Sequence, residues 1–182
     1  MSQHDRLNDE LLVLRCQEGD TEAFELLVGR WQRRLWRHAW RLTADESEAW
    51  DALQEAWIGI SRGIARLADA EAFPAWAYRI VSNKCRDSIR RRRSRREATE
   101  SYSKSIECDA QQATARQEQC ESLKQALERL SGEDRALLSL RYEEQFDTAE
   151  IAAILEVPEG TVKSRLFYTR QRLRKYLEEE NE

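Results

Sequence analysis

Arg79, Asn83, Arg86 and Arg90 recur at intervals of four, three and four residues. At about 100° per residue they fall within about 60° of arc on one side of a helix. Guanidinium groups and an amide arranged in this way offer hydrogen-bond donors and fixed positive charge to phosphates, rather than acid–base chemistry. Arg91, Arg92, Arg93, Arg95 and Arg96 follow, and from Arg79 to Arg96 nine bases meet a single acid, Asp87, for a net +8. A solvated face normally mixes signs, so a face this one-sided fits a nucleic-acid backbone.

A second set lies near the C-terminus. Lys163, Ser164, Phe167, Tyr168, Gln171 and Arg174, with Arg165 at their edge, point away from a stripe formed by Val162, Leu166, Leu173 and Leu177. Lys163 and Arg174 suit phosphates or guanine edges, Ser164 and Gln171 suit base edges, and Phe167 suits a thymine methyl. A third set, Asp51, Gln54, Glu55 and Ile58, places a branched apolar residue among acids opposite the apolar stripe of its helix, as a protein-contact surface would.

Catalytic chemistry finds little material. The two histidines, His4 and His38, stand in no Cys/Asp/Glu constellation, and no glycine-rich phosphate loop is present. Cys16, Cys85, Cys108 and Cys120 are irregularly spaced without a CxxC pair, so free thiols are expected rather than disulfides or a metal centre. A redox or metal sensor using Cys85, Cys108 and Cys120 would be an added regulatory layer. Neither a metal nor a cofactor is expected, and the chain is not expected to be an enzyme.

The elements that must position these residues are helices. The chain has 182 residues, 41% hydrophobic and 35% charged, with only 6 Gly and 2 Pro, which is too little turn chemistry for β-hairpins. An all-α fold follows. The net charge of −4 hides a segregation: residues 97–122 carry six acids and two bases among Ser, Thr, Gln and Ala, and separate the two basic patches. The expected organisation is therefore a helical domain over 1–96, an acidic flexible linker over 97–122 and a second helical domain over 123–182. No run approaches the roughly 18 apolar residues of a membrane span, and the first residues lack a signal-peptide core, so a cytoplasmic location without membrane insertion is expected.

Periodicity predicts a helix over about 21–42 that buries Phe24, Leu27, Val28, Trp31, Leu35, Ala39 and Leu42, with Asp20 or Thr21 as cap. Trp36 and Trp40 lie on another face and are expected to pack in the core. A second helix buries Ala49, Leu53, Ala56, Trp57, Ile60 and Ile64, and a third starts at Phe73-Pro74 and buries Phe73, Trp76, Ala77, Ile80 and Val81. Toward the C-terminus, Leu123, Ala126, Leu127 and Leu130 form one short face. Ser131 with Asp134 and Asp147 with Glu150 cap the next two helices, and Glu156-Val157-Pro158 is a tight turn into the basic one. A short helix, a three-residue turn and a longer basic helix make a helix-turn-helix. A stand-alone transcription regulator would share that motif, but it would also carry a ligand pocket or receiver domain, which the N-terminal half does not offer.

Glu150-Ile-Ala-Ala-Ile-Leu155 followed by Pro158-Glu-Gly-Thr-Val-Lys-Ser-Arg-Leu166 resembles region 4 of bacterial RNA polymerase sigma factors, which binds the minus-thirty-five promoter element. Ala49-Trp-Asp-Ala-Leu-Gln-Glu55, Trp76-Ala-Tyr-Arg-Ile-Val-Ser-Asn83 and the arginines after Asp87 resemble region 2. With a short linker and no domain between, the chain is similar to the extracytoplasmic-function (ECF) group. The resemblance implies that Asp51, Gln54, Glu55 and Ile58 dock on the β′ coiled coil of core RNA polymerase, and that region 4 meets the β flap. It implies that a loop at about Leu67 to Ala72 captures a base flipped from the minus-ten strand, while Arg79, Asn83, Arg86 and Arg90 hold that element. Lys163, Ser164, Arg165, Phe167, Tyr168, Gln171 and Arg174 would then read the minus-thirty-five element. It further implies promoter DNA and an anti-sigma factor as partners. The chain departs from the family pattern at Trp50, where many members have an acid, at Glu156, where Gly is usual, and at Tyr168, where Arg is frequent.

Overall fold

The computed structural model describes residues 3–97 and 115–180, with side chains over 7–93 and 122–179; among these every regular element is a helix or a short 3-10 turn. The N-terminal half comprises α1 (Gln3–Gln17), α2 (Thr21–Thr43), α3 (Glu46–Gly63) and α4 (Phe73–Glu97), with 3-10 turns at Ile64–Arg66 and Ala70–Ala72. The C-terminal half comprises α5 (Ala115–Glu128), α6 (Gly132–Tyr142), α7 (Thr148–Leu155) and α8 (Glu159–Glu180). Most of the expected acidic linker, Cys108 and the side chain of Cys120 lie outside the described residues.

The caps start the helices where the sequence places them. Asp20 accepts from the Ala23 amide at 3.0 Å and Asp45 from the Glu48 amide at 2.9 Å. These bonds satisfy amides that the first helical turn leaves without partners. The apolar stripes of α2 and α3 are inside: Leu27, Trp31, Leu35, Ala39, Ala49, Leu53, Ala56 and Ile60 are at most 1% exposed. Trp31 is the hub, meeting Phe73 edge-on at 5.6 Å and Tyr78 at 6.3 Å between ring centres.

Two features differ from the sequence reading. The first helix, α1, was not anticipated, because its apolar residues divide between two faces: Val13 and Cys16 are buried while Leu7, Leu11 and Leu14 are about half exposed. Trp40 also departs from expectation. It is 42% exposed and stacks on Trp36, which packs half-buried against the core as expected and in turn meets Trp50 at 5.6 Å, so Trp40 and Trp50 form a surface cluster over Trp36.

Buried residues of both halves join one hydrophobic cluster, from Val13 and Cys85 through Leu138, Phe146, Ile151 and Leu166. The helices at the junction are α2 against α6 and α4 against α7. Tyr78 of α4 meets Phe146 edge-on at 5.5 Å. Arg41 donates to Ser139 Oγ at 2.9 Å and to Glu143 at 2.7 Å, and Arg34 pairs with Glu144 at 2.5 Å. Gly132 opens α6 against the backbone of α2: a Cβ there would collide with the Arg41 carbonyl oxygen and lie 3.3 Å from that of Leu42. Only a residue without a Cβ allows the two backbones to approach so closely.

Candidate nucleic-acid interfaces

The helix-turn-helix is built by capping and one buried carboxylate. Asp147 accepts from the Glu150 amide at 2.8 Å while Glu150 accepts from the Asp147 amide at 2.7 Å, a complete reciprocal cap at the start of α7. Ser131 caps α6, accepting from the Asp134 amide at 3.2 Å. The Asp134 side chain, however, turns inward to tie the motif together. It accepts from Ser131 Oγ at 2.6 Å and from the buried Thr169 hydroxyl of α8 at 2.9 Å, and pairs with Arg172 at 2.9 Å. Asp134 and Thr169 thus fix the rotation of α8 about its axis. The sequence shows Asp134 only as a cap partner, and Thr169 carried no signal.

With that rotation set, α8 packs Val162 and Leu166, each at most 1% exposed, into the core and leaves Lys163, Ser164, Phe167, Tyr168, Gln171 and Arg174 in solvent. Phe167 and Tyr168 meet edge-on at 5.4 Å and are 55% and 60% exposed, a large apolar area for a solvated helix. Lys163 pairs within its helix with Glu159 at 2.8 Å and Arg174 with Glu178 at 3.5 Å, contacts that exposed ion pairs exchange easily for phosphates. Arg165 stands at the edge of the face and reaches Glu133 of α6 at 3.3 Å.

On α4, Arg79, Asn83, Arg86 and Arg90 share one face, with the Arg90 side chain 82% exposed. The basic run does not act as one surface. Lys84 and Arg91 reach Glu55 of α3 at 3.2 and 3.5 Å, and Arg92 reaches Glu48 at 3.2 Å. These three bases brace α4 against α3. The side chains of Arg95 and Arg96 lie outside the described residues.

The same bracing divides the acidic set on α3. Asp51, Gln54 and Ile58 face solvent, Ile58 at 51% exposure. Asp51, Gln54, Glu55 and Ile58 all line the groove between α3 and α4, but only Glu55 pairs across it, and the Lys84 hydrogen bond, with the nearby Arg91 charge, holds its carboxyl below the usual range.

The loop from α3 to α4 is anchored by Gln17, an α1 residue with no signal in the sequence; its side-chain amide donates to the carbonyls of Ile64 at 3.2 Å and Leu67 at 2.8 Å. Beyond it, Ala70, Glu71, Ala72, Pro74 and Ala75 line one wall of a cavity of about 100 Å³, and Glu144, Gln145 and Phe146 line another.

The two described thiols, Cys16 and Cys85, are both buried and unpaired. Cys85 is fully buried and burial pushes it up to about 12, so it stays protonated and unreactive, which argues against Cys85 as part of a sensor. Among the described residues no cluster could hold a metal ion, and no helix is long and apolar enough to cross a membrane.

Comparison with known proteins assigns the two halves separately. The family model for sigma-70 region 2 matches residues 27–95, and that for sigma-70 region 4 matches residues 120–173. The chain is 37% identical over 177 residues to the ECF RNA polymerase sigma factor SigM of Mycobacterium tuberculosis, covering 96% of this chain and 86% of that one. It is 32% identical over 181 residues to the RNA polymerase sigma-H factor of Pseudomonas aeruginosa, covering 93% and 94%. Among solved structures, the sigma factor RpoE in complex with the anti-sigma factor NepR from Bartonella quintana superposes with a TM-score of 0.70 at 23% identity, over 85% of this chain and 96% of that one. CnrH in complex with the cytosolic domain of CnrY superposes with a TM-score of 0.64 at 23% identity, over 94% and 97%.

Proposed function

The chain belongs to the sigma-70 family, with the two regions and the size of an ECF sigma factor, and from that premise we propose how its surfaces divide the work of transcription initiation. Asp51, Gln54 and Ile58 on the open face of α3 dock on the β′ coiled coil of core RNA polymerase, with Glu55 joining them once it releases Lys84 and Arg91. The exposed face of α8 enters the major groove at the minus-thirty-five element, where Lys163 and Arg174 meet phosphates or guanine edges and Ser164, Gln171, Phe167 and Tyr168 meet bases. Arg79, Asn83, Arg86 and Arg90 hold the minus-ten element. The loop from Leu67 to Ala72 receives a flipped base, which costs a few kcal/mol and so draws on contacts throughout the holoenzyme.

The observation that carries this reading is the separation of packing and reading faces on α8 within a helix-turn-helix whose preceding helices, α6 and α7, are both capped, on the same chain as a second basic helix. The chain supplies no catalytic step; bond formation belongs to the polymerase. Relatives bind anti-sigma factors, and the exposed Leu7, Leu11 and Leu14 stripe on α1 leaves apolar surface for such a partner.

The test is reconstitution with sigma-free bacterial core RNA polymerase on a genomic DNA library. Initiation at defined sites is expected, and the aligned starts would yield both promoter elements. DNA binding without core binding would instead make the chain a stand-alone regulator.

A further inference from the structure

Trp40 and Trp50 are 42% and 38% exposed, so two of the largest apolar side chains face water without adding to the core. Trp36 and Trp40 stack with their rings 14° from parallel, and Trp50 leans on Trp36 from α3. Between Trp36 and Trp50 lies an open cleft of about 240 Å³, also lined by Gly29, Gln32 and Arg33. A Cβ added at Gly29 would meet nothing within 4 Å, so the backbone of α2 is open to a close approach there.

Spacing defines the shape that fits. Leu26, Gly29, Arg33, Trp36 and Trp40 recur along α2 at intervals of three, four, three and four residues, and all but the half-buried Trp36 are exposed. A seam with this period is one along which a second helix packs. On α3, Asp51, Gln54 and Ile58 follow the same spacing, and Trp50 stands one turn before Gln54. Trp50 therefore makes the α2 seam continuous with the α3 face.

Composition favours a protein over a nucleic acid as the occupant. Arg33 and Arg37 are exposed beside the tryptophans and form no ion pair among the described residues. Glu46, one turn before Trp50, and Asp51, next to it, are also exposed, and a strand laid across the rings would carry its phosphates past these acids. Tryptophan and arginine together are the residues in which protein interfaces concentrate their binding energy. Trp50 is also a position where the chain departs from the acid of the family pattern, and the departure is turned to the surface rather than absorbed by the core.

We propose that Trp36, Trp40 and Trp50, with Gly29, Arg33 and Arg37, form a second docking seam for core RNA polymerase: a polymerase helix lies along α2, an apolar side chain in the cleft and carboxylates toward the two arginines. The proposal rests on the assignment of the α3 face to polymerase contact.

Gly29→Glu and Gly29→Lys test it on the full chain. Both residues form helices better than Gly and both side chains have room, so α2 should persist, and circular dichroism and melting temperature check it. The readout is the affinity for sigma-free bacterial core RNA polymerase as a function of salt. Gly29→Glu sets a carboxylate against the acidic flank of the partner and is expected to weaken binding about tenfold, whereas Gly29→Lys should bind at least as tightly as wild type. Trp40→Ala should weaken binding about tenfold or more. Replacing Arg33 and Arg37 together by Ala should weaken it and flatten its salt dependence.

Wild-type affinity in all the α2 variants, with Asp51→Arg unable to assemble, would overturn the second seam and keep the α3 reading. Normal assembly by Asp51→Arg as well would overturn both, through the premise. Normal assembly by Asp51→Arg alone would overturn the continuity of the two faces. Equal losses from Gly29→Glu and Gly29→Lys would overturn the acidic flank of the occupant. Unchanged polymerase affinity in Trp40→Ala with lost affinity for a random-sequence single-stranded DNA 20-mer would make the tryptophans a base-stacking platform instead.

Discussion

Lys163 shows how much one side chain on α8 can report. It is exposed, and its ion pair to Glu159 at 2.8 Å lies within one helix, so moving to a phosphate costs little. Lys163→Ala should therefore lower the slope of log K against log salt by about 0.9 and weaken all duplexes alike. Loss of discrimination at one base pair with an unchanged slope would instead make Lys163 a base reader. Residues of this kind were legible in the sequence, because a charged side chain opposite an apolar stripe declares its direction through periodicity alone. Asp134 and Thr169 were not. Their pairing spans 35 positions, and short polar residues in helices usually face water; only the packed structure shows a buried hydroxyl donating to a buried carboxylate.

At the scale of the element, α3 divides its surface between two tasks. One face is buried in the core, and of the acids elsewhere Glu48 and Glu55 brace α4 while Asp51 stays exposed at the helix surface beside Gln54 and Ile58. Reversing one charge on the open part should leave the braced part intact. Asp51→Arg is therefore expected to abolish co-elution with core RNA polymerase while far-ultraviolet dichroism and melting temperature stay those of wild type. Assembly at normal affinity would remove α3 from the polymerase interface. Both ends of α2, the start of α4 and the apolar stripes of α2, α3 and α4 were readable because caps and 3.6-residue periodicity are local signals. The tryptophan cluster was not, since Trp36, Trp40 and Trp50 come from two helices whose crossing angle no local pattern specifies. α1 was missed for a related reason: an apolar pattern divided between a buried and an exposed face blurs the period that identifies a helix.

At the scale of the whole molecule, both halves close over a polar group the sequence did not mark as structural. His38 lies under the junction, 1% exposed, with Nε2 2.8 Å from Ser82 Oγ and its ring edge-on to Tyr78 at 5.0 Å. Tyr78 is itself the residue that meets Phe146 of the other half, and its phenol is pushed up, first by burial and then by Glu144. Burial, followed by the charges of Arg41 and Arg86, pulls the His38 pKa from 6.5 down to about 3. Both arginines also bind the C-terminal half, so a protonated His38 would oppose the residues that hold the junction. The folded state keeps His38 neutral while the unfolded chain protonates it below 6.5, so the unfolded chain binds the extra proton as pH falls. Stability from this group is thus complete above pH 6.5 and is lost progressively between 6.5 and 3. Once the unfolded histidine is fully protonated the slope approaches about 1.4 kcal/mol per pH unit, which for a chain of this size is roughly 3–6 °C in melting temperature. Thermal unfolding of wild type should fall by about that much per unit from pH 6 to pH 5, whereas His38→Gln, which retains a polar group toward Ser82 but has no proton to gain, should lose less over the same interval. Equal losses in the two proteins would assign the acid sensitivity to the carboxylates alone. Glu55, Glu156 and Glu179 all have carboxyls held below the usual range, so their contribution is present above the ordinary carboxylate pKa and disappears only at lower pH. The interval between pH 6 and pH 5 therefore separates the buried histidine at the junction from the surface ion pairs.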